Sequence, residues 1–471
     1  MAMSSVCLSN PMCAIFFVCH LLMMDLDWSL EVAALRTTTS STKRKRERVR
    51  KIMVPNKEDL TLEKSSKKKQ PENPKKCKNN SSSSRSPALL PPRRRASPPA
   101  AARQTKKRQQ QQRHDEVVPP QLIRIPLSTP TTYGSICTGL GTDSYSARDN
   151  HGRNGFENVF TCENNPVAIQ QLKANGCMGR MHFDNASSPI FHKQAPYVDV
   201  LTSGFPCQPY SSIGDNLGSQ DVRSMVIHDI IRYIKRKLPR LVVLENVPGL
   251  LHRHQGIFLE ILMLLKKIKD PITNEVAYFL TWKVLNTKTV GGVPQQRKRL
   301  YIVLVKLCGR RKINFQWPCR IPCKSLDEIF DAGTEKLNSY MDYKLPKQMV
   351  ARRNVAAALV KVRRKKQDNP EAVPVIVDMG GTTLNMSMRR SPCLTAARAS
   401  SQSFMSLQHN RPLSVNELFR LQGFDPAEVK VVVCRTGIGK CLGNAFTRTV
   451  LTRVLSAGLA AAEGRGVAPC P

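Results

Sequence analysis

From Tyr133 onward, short apolar runs alternate with amphipathic helical stretches, and this rhythm constrains the fold more than any other feature. Ile136-Cys137 ends one run at a glycine turn, Val198-Asp199-Val200-Leu201 forms a second and Leu241-Val242-Val243-Leu244 a third. Leu300-Tyr301-Ile302-Val303-Leu304-Val305 is the fourth. Between the second and third, the spacing over Met225 to Lys237 places Val226, Ile230, Ile231 and Ile234 on one face of a helix. Strands alternating with helices predict an α/β domain, with a parallel sheet covered on both faces.

The rhythm is absent before that point. Residues 1–36 are a short N-terminal segment whose apolar stretch, Ala14 to Met24, spans about 11 residues, against the ~20 a membrane helix needs. No basic region precedes it, and Asp25 and Asp27 follow closely. A short helix is expected there rather than a span or a secretory signal, with organelle import left open. Residues 37–125 read as a disordered basic tail. Lys43-Arg44-Lys45-Arg46, Lys67-Lys68-Lys69, Arg93-Arg94-Arg95 and Lys106-Lys107-Arg108 stand among serine, proline and glutamine tracts. Too few apolar side chains occur to offset the entropy of ordering that backbone. The recurring clusters point to nuclear import and nonspecific phosphate contact, against the plainer alternative of a solvated leader.

Lys and Arg number 73 against 35 Asp and Glu, a net charge of +38 that attracts polyanions, nucleic acid first among them. The 15 cysteines lack a paired framework, which fits free thiols better than a disulfide scaffold. Cys319 and Cys323 have no second pair or His cluster beside them, so no metal site is expected. The stretch 308–391 breaks the α/β rhythm with Arg310-Arg311-Lys312, Arg352-Arg353 and Arg363-Arg364-Lys365-Lys366. It reads as an inserted, smaller subdomain with a basic, DNA-facing surface. A loosely folded excursion kept soluble by its charge is the alternative.

Three elements carry candidate chemistry. Gly204-Phe205-Pro206-Cys207-Gln208-Pro209-Tyr210-Ser211 directly follows the second apolar run. Its prolines stiffen a loop that holds a thiol at the strand edge where open α/β sheets bind ligands. Glu245-Asn246-Val247 ends the third run and puts a carboxyl group at the same edge. Gly139-Leu140-Gly141 turns between a strand and a helix, and Glu163 follows about 22 residues on, a distance suited to ribose hydroxyls. Each alone has an ordinary structural explanation: a packed loop cysteine, an ion-paired glutamate, a simple turn.

Together and in order, these elements resemble the DNA cytosine-5 methyltransferases over residues from about 132 to 459. The resemblance implies a Rossmann-like, S-adenosylmethionine-dependent methyltransferase fold. Its catalytic domain would cover 130–307, its target-recognition subdomain 308–391, and the motifs completing the catalytic domain 392–460. Tyr133 to Gly141 is similar to the first cofactor motif, and Asp221-Val222-Arg223-Ser224 to a helix-opening motif. Gln295-Gln296-Arg297-Lys298-Arg299, Arg411 to Phe424 and Gly443-Asn444-Ala445-Phe446 resemble later motifs. The implied cofactor residues are Cys137, Gly139, Leu140, Gly141, Glu163, Asp184, Pro206, Asn444 and Ala445. The implied substrate residues are Gln208, Ser211 and Gln295. Cys137 replaces the aromatic residue usual before the glycine turn, Thr142 a common glycine, and Cys441-Leu442 stands where a glutamine often lies.

By that resemblance, Cys207 adds to C6 of a cytosine flipped from duplex DNA. Glu245 contacts N3 and the exocyclic amine, Arg299 the O2 side, and Arg297 supports the loop. C5 then accepts the methyl group of S-adenosylmethionine, and no metal is required. Two other readings remain beside it: a tRNA cytosine-5 methyltransferase, and a noncatalytic chromatin scaffold on the same fold. The loop reads Gly-Phe-Pro-Cys-Gln-Pro-Tyr, not the Pro-Pro-Cys-Gln-Pro-Phe typical of the tRNA branch. The basic leader favours a nuclear enzyme with chromatin partners and no membrane.

Overall fold

The computed structural model describes residues 127–206, 226–337, 344–365 and 374–465. The N-terminal segment 1–36, the tail 37–125, Cys207, Gln208, Ser211 and Asp221 to Ser224 lie outside the described residues.

In chain order the first half runs β1 (Thr131–Ile136), α1 (Thr142–His151), β2 (Phe156–Cys162), α2 (Pro166–Ala174), β3 (Met181–Phe183), α3 (Pro189–Gln194) and β4 (Val200–Ser203). It continues through α4 (Val226–Lys237), β5 (Leu241–Asn246), α5 (Gly249–His252), α6 (Gln255–Lys266), β6 (Tyr278–Asn286), α7 (Thr287–Val290) and β7 (Lys298–Lys306). Local chemistry sets the starts of several helices. Asn165 and Ser188 accept hydrogen bonds from the first-turn amides of α2 and α3, each followed by a proline whose missing N–H costs nothing there.

The seven strands form one sheet in the order β3-β2-β1-β4-β5-β7-β6. Leu241, Val242, Val243 and Leu244 are all fully buried, because the two sides of β5 face two different cores. Val242 and Leu244 pack with Ile230 and Ile234 of α4 and Phe258 of α6. Leu241 and Val243 pack with Val450, Leu451 and Val454, from a C-terminal helix, on the other side. A strand covered on both faces needs an unbroken apolar run, and the sequence has one.

The expected all-parallel sheet is corrected at one edge. β1 to β5 are parallel, but β7 is antiparallel to β5 and β6 antiparallel to β7. The link between β6 and β7, residues 287–297, is shorter than a parallel crossover requires, so the chain returns antiparallel.

After β7 come α8 (Met349–Arg364), β8 (Val375–Asp378), β9 (Asn385–Met388), α9 (Ala396–Ser400), β10 (Phe404–Ser406), β11 (Arg411–Pro412), α10 (Val415–Leu421), α11 (Arg435–Asn444) and α12 (Arg448–Ala462). A second, antiparallel sheet has the order β11-β10-β8-β9. It draws two strands from beyond residue 391, so the small unit and the later motifs are interleaved rather than consecutive. Near its start, Phe315 and Trp317 pack on the large-sheet core, and Trp317 Nε1 donates to Thr281 Oγ1 at 3.3 Å. α10 opens with a reciprocal cap between Ser414 and Glu417.

Arg448, at the start of α12, ties the returning C-terminal segment to α1. Its guanidinium meets Asp149 at 2.6 and 3.0 Å and Glu428 at 2.6 Å, and lies over the Tyr145 ring at 5.3 Å. This charge-assisted fork holds the helix that roofs one face of the sheet.

Candidate active site

The chain leaves β1 toward β2 and β3 on one side, then resumes at β4 on the other, so strand order reverses between β1 and β4. Outside the carboxyl ends of strands at such a reversal the loops diverge and leave a crevice. A cavity of about 370 Å³ occupies that place. Every parallel strand end contributes to it: Cys137 and Gly139 after β1, Glu163 and Asn164 after β2, Asp184 and Asn185 after β3, Gly204 to Pro206 after β4, and Glu245 in β5.

Gly139 sits at φ +57, and a Cβ there would meet nothing within 4 Å. Its backbone is therefore bare toward open space in a conformation that glycine adopts without strain. The Gly139 N–H donates to Glu163 Oε2 at 2.8 Å, while Glu163 Oε1 accepts from the amides of Asn164 and Asn165 at 3.1 and 2.9 Å. The carboxylate is thus fixed in place and keeps lone pairs for a diol. Asp184 Oδ1 lies 3.2 Å from His182 Nε2, with the Asp184 side chain mostly exposed. These groups fit an adenosyl moiety: a fixed carboxylate for ribose hydroxyls, a second acceptor for an exocyclic amine, and a bare turn for close approach.

At the other end of the cavity, Glu245 Oε1 and Arg299 Nε stand 2.9 Å apart. Burial pushes the Glu245 carboxyl up from its usual range, and the Arg299 and Arg297 guanidinium groups oppose that rise. Pro206, bonded directly to Cys207, also lines the cavity.

Other expected site residues play different parts. Leu140 packs in the core beside Tyr145 and Leu172 rather than lining the cavity. Gly141 caps α1, and a Cβ on it would strike Leu172 and Cys177, so it too faces the core. Ala445 is buried and offers its carbonyl to Arg297 Nη2 at 2.7 Å, whereas Asn444 does line the cavity. Gln295, expected to touch substrate, is fully buried. Its amide donates to Leu421 O at 2.6 Å and accepts from Leu394 N at 2.8 Å, so both ends are used within the protein.

Arg297 was expected beside the catalytic groups. It reaches the cavity wall, but its guanidinium donates to the carbonyls of Leu394 at 2.5 Å, Gly443 at 3.2 Å and Ala445 at 2.7 Å. It is a positioning residue that fastens residues 394 and 443–445 to β7. Gly443 permits this closeness: a Cβ there would lie 2.2 Å from Ala396 N.

Sequence reasoning passed over Cys393, which nothing but a Pro-Cys pair signals. Its Sγ lies 3.9 Å from Arg299 Nη1 and 4.0 Å from Arg297 Nη1. Burial works to raise this thiol, yet the two guanidinium groups outweigh burial and bring it below its ordinary range. Burial pushes Cys162 up to about 12 and Cys441 up to about 11. Among the described residues, no group of three or more His, Cys, Asp or Glu could hold a metal ion, and no helix is long and apolar enough to cross a membrane.

The family of C-5 cytosine-specific DNA methylases matches residues 132–458. The chain belongs to that family. Its members use S-adenosylmethionine as methyl donor, in keeping with the Gly139, Glu163 and Asp184 groups that line the cavity. Among curated relatives, the Type II methyltransferase M.NgoBV of Neisseria gonorrhoeae is 34% identical over 193 residues, covering 41% of this chain and 44% of that protein. M.NgoBI of the same organism is 30% identical over 298 residues, covering 63% of this chain and 84% of the relative. The match to M.NgoBV, like that to M.NlaIV of Neisseria lactamica at 43%, spans less than half of the relative's length. Among solved structures, the Entamoeba histolytica methyltransferase EhMeth aligns with a TM-score of 0.46 at 16% identity, over 70% of this chain and 97% of that one.

Proposed function

We propose that this chain transfers a methyl group from S-adenosylmethionine to C5 of cytosine in duplex DNA, with Cys207 as nucleophile. The observation that carries the reading is one cavity that joins Gly139, Glu163 and Asp184 to the Glu245–Arg299 pair. Its wall ends at the residue bonded to Cys207.

Gly139, Glu163, Asp184 and Asn444 hold the donor. When bound, the donor supplies an electrophilic methyl group carried on a sulfonium. A cytosine flipped into the other end meets Cys207, whose thiolate forms a bond to C6 and pushes electron density toward C5 and N3. Glu245 faces N3, and the burial that raises its carboxyl favours its carrying a proton to N3 as the adduct forms, which stabilises the adduct. Arg299 braces that carboxyl group and presents positive charge beside the ring. After C5 gains the methyl group it loses its proton, the C6–S bond breaks, and 5-methylcytosine leaves. The test supplies labelled donor with duplex DNA and with tRNA, for the parent and Cys207→Ala. Label on DNA from the parent alone supports the reading, and label on tRNA alone replaces it.

The basic clusters between residues 37 and 125 support a nuclear location, with chromatin as the setting of the reaction. A fluorescent fusion to residues 37–125 tests this, since cytoplasmic retention would remove it.

A further inference from the structure

Helix α8 lies on the small sheet. Its inner face, Val355, Ala358, Leu359 and Val362, packs on Val375, Val377, Met405 and Leu407. The opposite face of that sheet, through Ile376 and Phe404, joins the core that holds Leu140 and Tyr145 of the cavity-bearing unit. Side chains alternate along a strand, so α8 sits on the side of the small sheet turned away from that unit.

The outward face of α8 is strongly one-signed. Arg352, Arg353, Lys361, Arg363 and Arg364 are all exposed. From residue 344 to residue 365 there are eight Lys and Arg and no Asp or Glu. A solvated helix ordinarily mixes both signs, because opposite charges three or four residues apart stabilise it and like charges do the reverse. Lys361 and Arg364 are three apart and repel. Arg353 is committed inward, donating to Gly381 O at 3.2 Å and Thr382 O at 2.7 Å. Arg352, Lys361, Arg363 and Arg364 form no ion pair among the described residues. Arg352 and Arg363 stand three helical turns apart, about 16 Å at the rise of an α-helix. That length matches roughly five base-pair steps of duplex, each carrying a phosphate on either strand.

We propose that the outer face of α8 is a second grip on DNA, binding the sugar–phosphate backbone of a duplex outside the catalytic cavity. It takes the identity of the polyanion from the methyl-transfer reading. Its electrostatics and its location stand apart from that reading. A duplex held only at the cavity does not reach this face, whereas a longer one bending around the small unit does. The grip reads no sequence. It raises residence on long DNA and makes binding steeply dependent on salt.

The experiment compares the full chain with a triple variant, Arg352→Gln, Arg363→Gln and Arg364→Gln, by fluorescence anisotropy. The probes are short (~14 base pairs) and long (~60 base pairs) duplexes over a range of salt. On the long duplex the variant should bind about tenfold more weakly or worse, with the log–log salt slope reduced by about 2.7. On the short duplex the two proteins should agree within about twofold. The corresponding triple Lys variant should keep the long-duplex slope. Equal affinity of variant and parent for the long duplex overturns the proposal, as does an equal loss at both lengths. A loss on duplex RNA that exceeds the loss on DNA replaces the assigned partner. Because binding is read without turnover, a parent that binds long DNA but transfers no methyl group sinks the activity reading and leaves this one standing.

Discussion

Arg299 Nε stands 2.9 Å from Glu245 Oε1, with the two side chains 14% and 9% exposed. The pair spans neighbouring antiparallel strands, β5 and β7, so the strand reversal at the sheet edge is what brings the two groups together. Removing one partner strands the other as a buried charge. Arg299→Ala should therefore cost about 3–5 kcal/mol near neutral pH. Burial raises the Glu245 acid and Arg299 restrains the rise, so the variant's native state binds that proton more tightly than its unfolded chain does. Its deficit is then greatest above the raised native value and shrinks as pH falls toward the unfolded value of about 4.3. Urea melts at a basic and an acidic pH measure this, and an equal deficit at both would contradict the coupling.

Asp143 gives a second pH dependence. Burial pushes its carboxyl up to about 6, outweighing the hydrogen bonds from the Ser135 hydroxyl, the Asp143 and Ser144 amides and, at a long 3.4 Å, Thr202 Oγ1, all of which hold it down. A native value above the unfolded one means stability is full below the unfolded value and is lost as pH rises to about 6. Asp143→Asn should then stabilise the protein by about 2–3 kcal/mol at basic pH and by little under acid conditions. Thermal melts across that window decide it, and a destabilised variant at basic pH would show that the ionised group has a partner worth keeping.

The Arg297 guanidinium donates to three carbonyls in two distant segments. Arg297→Met leaves those buried acceptors without donors and should destabilise the fold by about 3–5 kcal/mol. Because the fastened segment includes Asn444 on the cavity wall, KM for the donor should rise by on the order of tenfold, while KM for DNA changes less. A larger rise in KM for DNA would return Arg297 to the substrate side.

Strands β1, β4, β5 and β7 of the large sheet were legible because β5 is buried on both faces and β1 and β4 end in chemistry-bearing turns, whereas β3 and β6 gave no run that stood out. Strand direction was not legible, since an apolar run such as Leu300 to Val305 reads the same whichever way it enters the sheet. The small sheet was illegible because β8 to β11 are two to four residues long, too short to show a period. Gln295 and Arg297 look like substrate ligands by type. Only the folded chain shows that residues 394, 421, 443 and 445 converge on them with carbonyls and an amide that need partners.

Cys393, which touches Arg297 and Arg299 but does not itself line the cavity, should be more reactive than the cavity-lining thiols Cys162 and Cys441. In a Cys207→Ala background near neutral pH, a thiol-alkylating reagent should modify Cys393 well before Cys162 or Cys441, whose thiols burial pushes up. Peptide mass spectrometry over a time course reads the order, and slower labelling of Cys393 than of Cys441 would show that burial outweighs the two arginines.

The central claim is a covalent bond between Cys207 and cytosine C6. A duplex carrying 5-fluorocytosine tests it most directly, because a fluorine at C5 cannot leave as the proton does and the adduct persists. With S-adenosylmethionine present, the parent protein should gain the mass of the DNA strand under denaturing conditions, and Cys207→Ala should gain none. An adduct formed equally well by Cys207→Ala would contradict the account, as would methyl transfer to ordinary DNA by a parent that never forms the adduct.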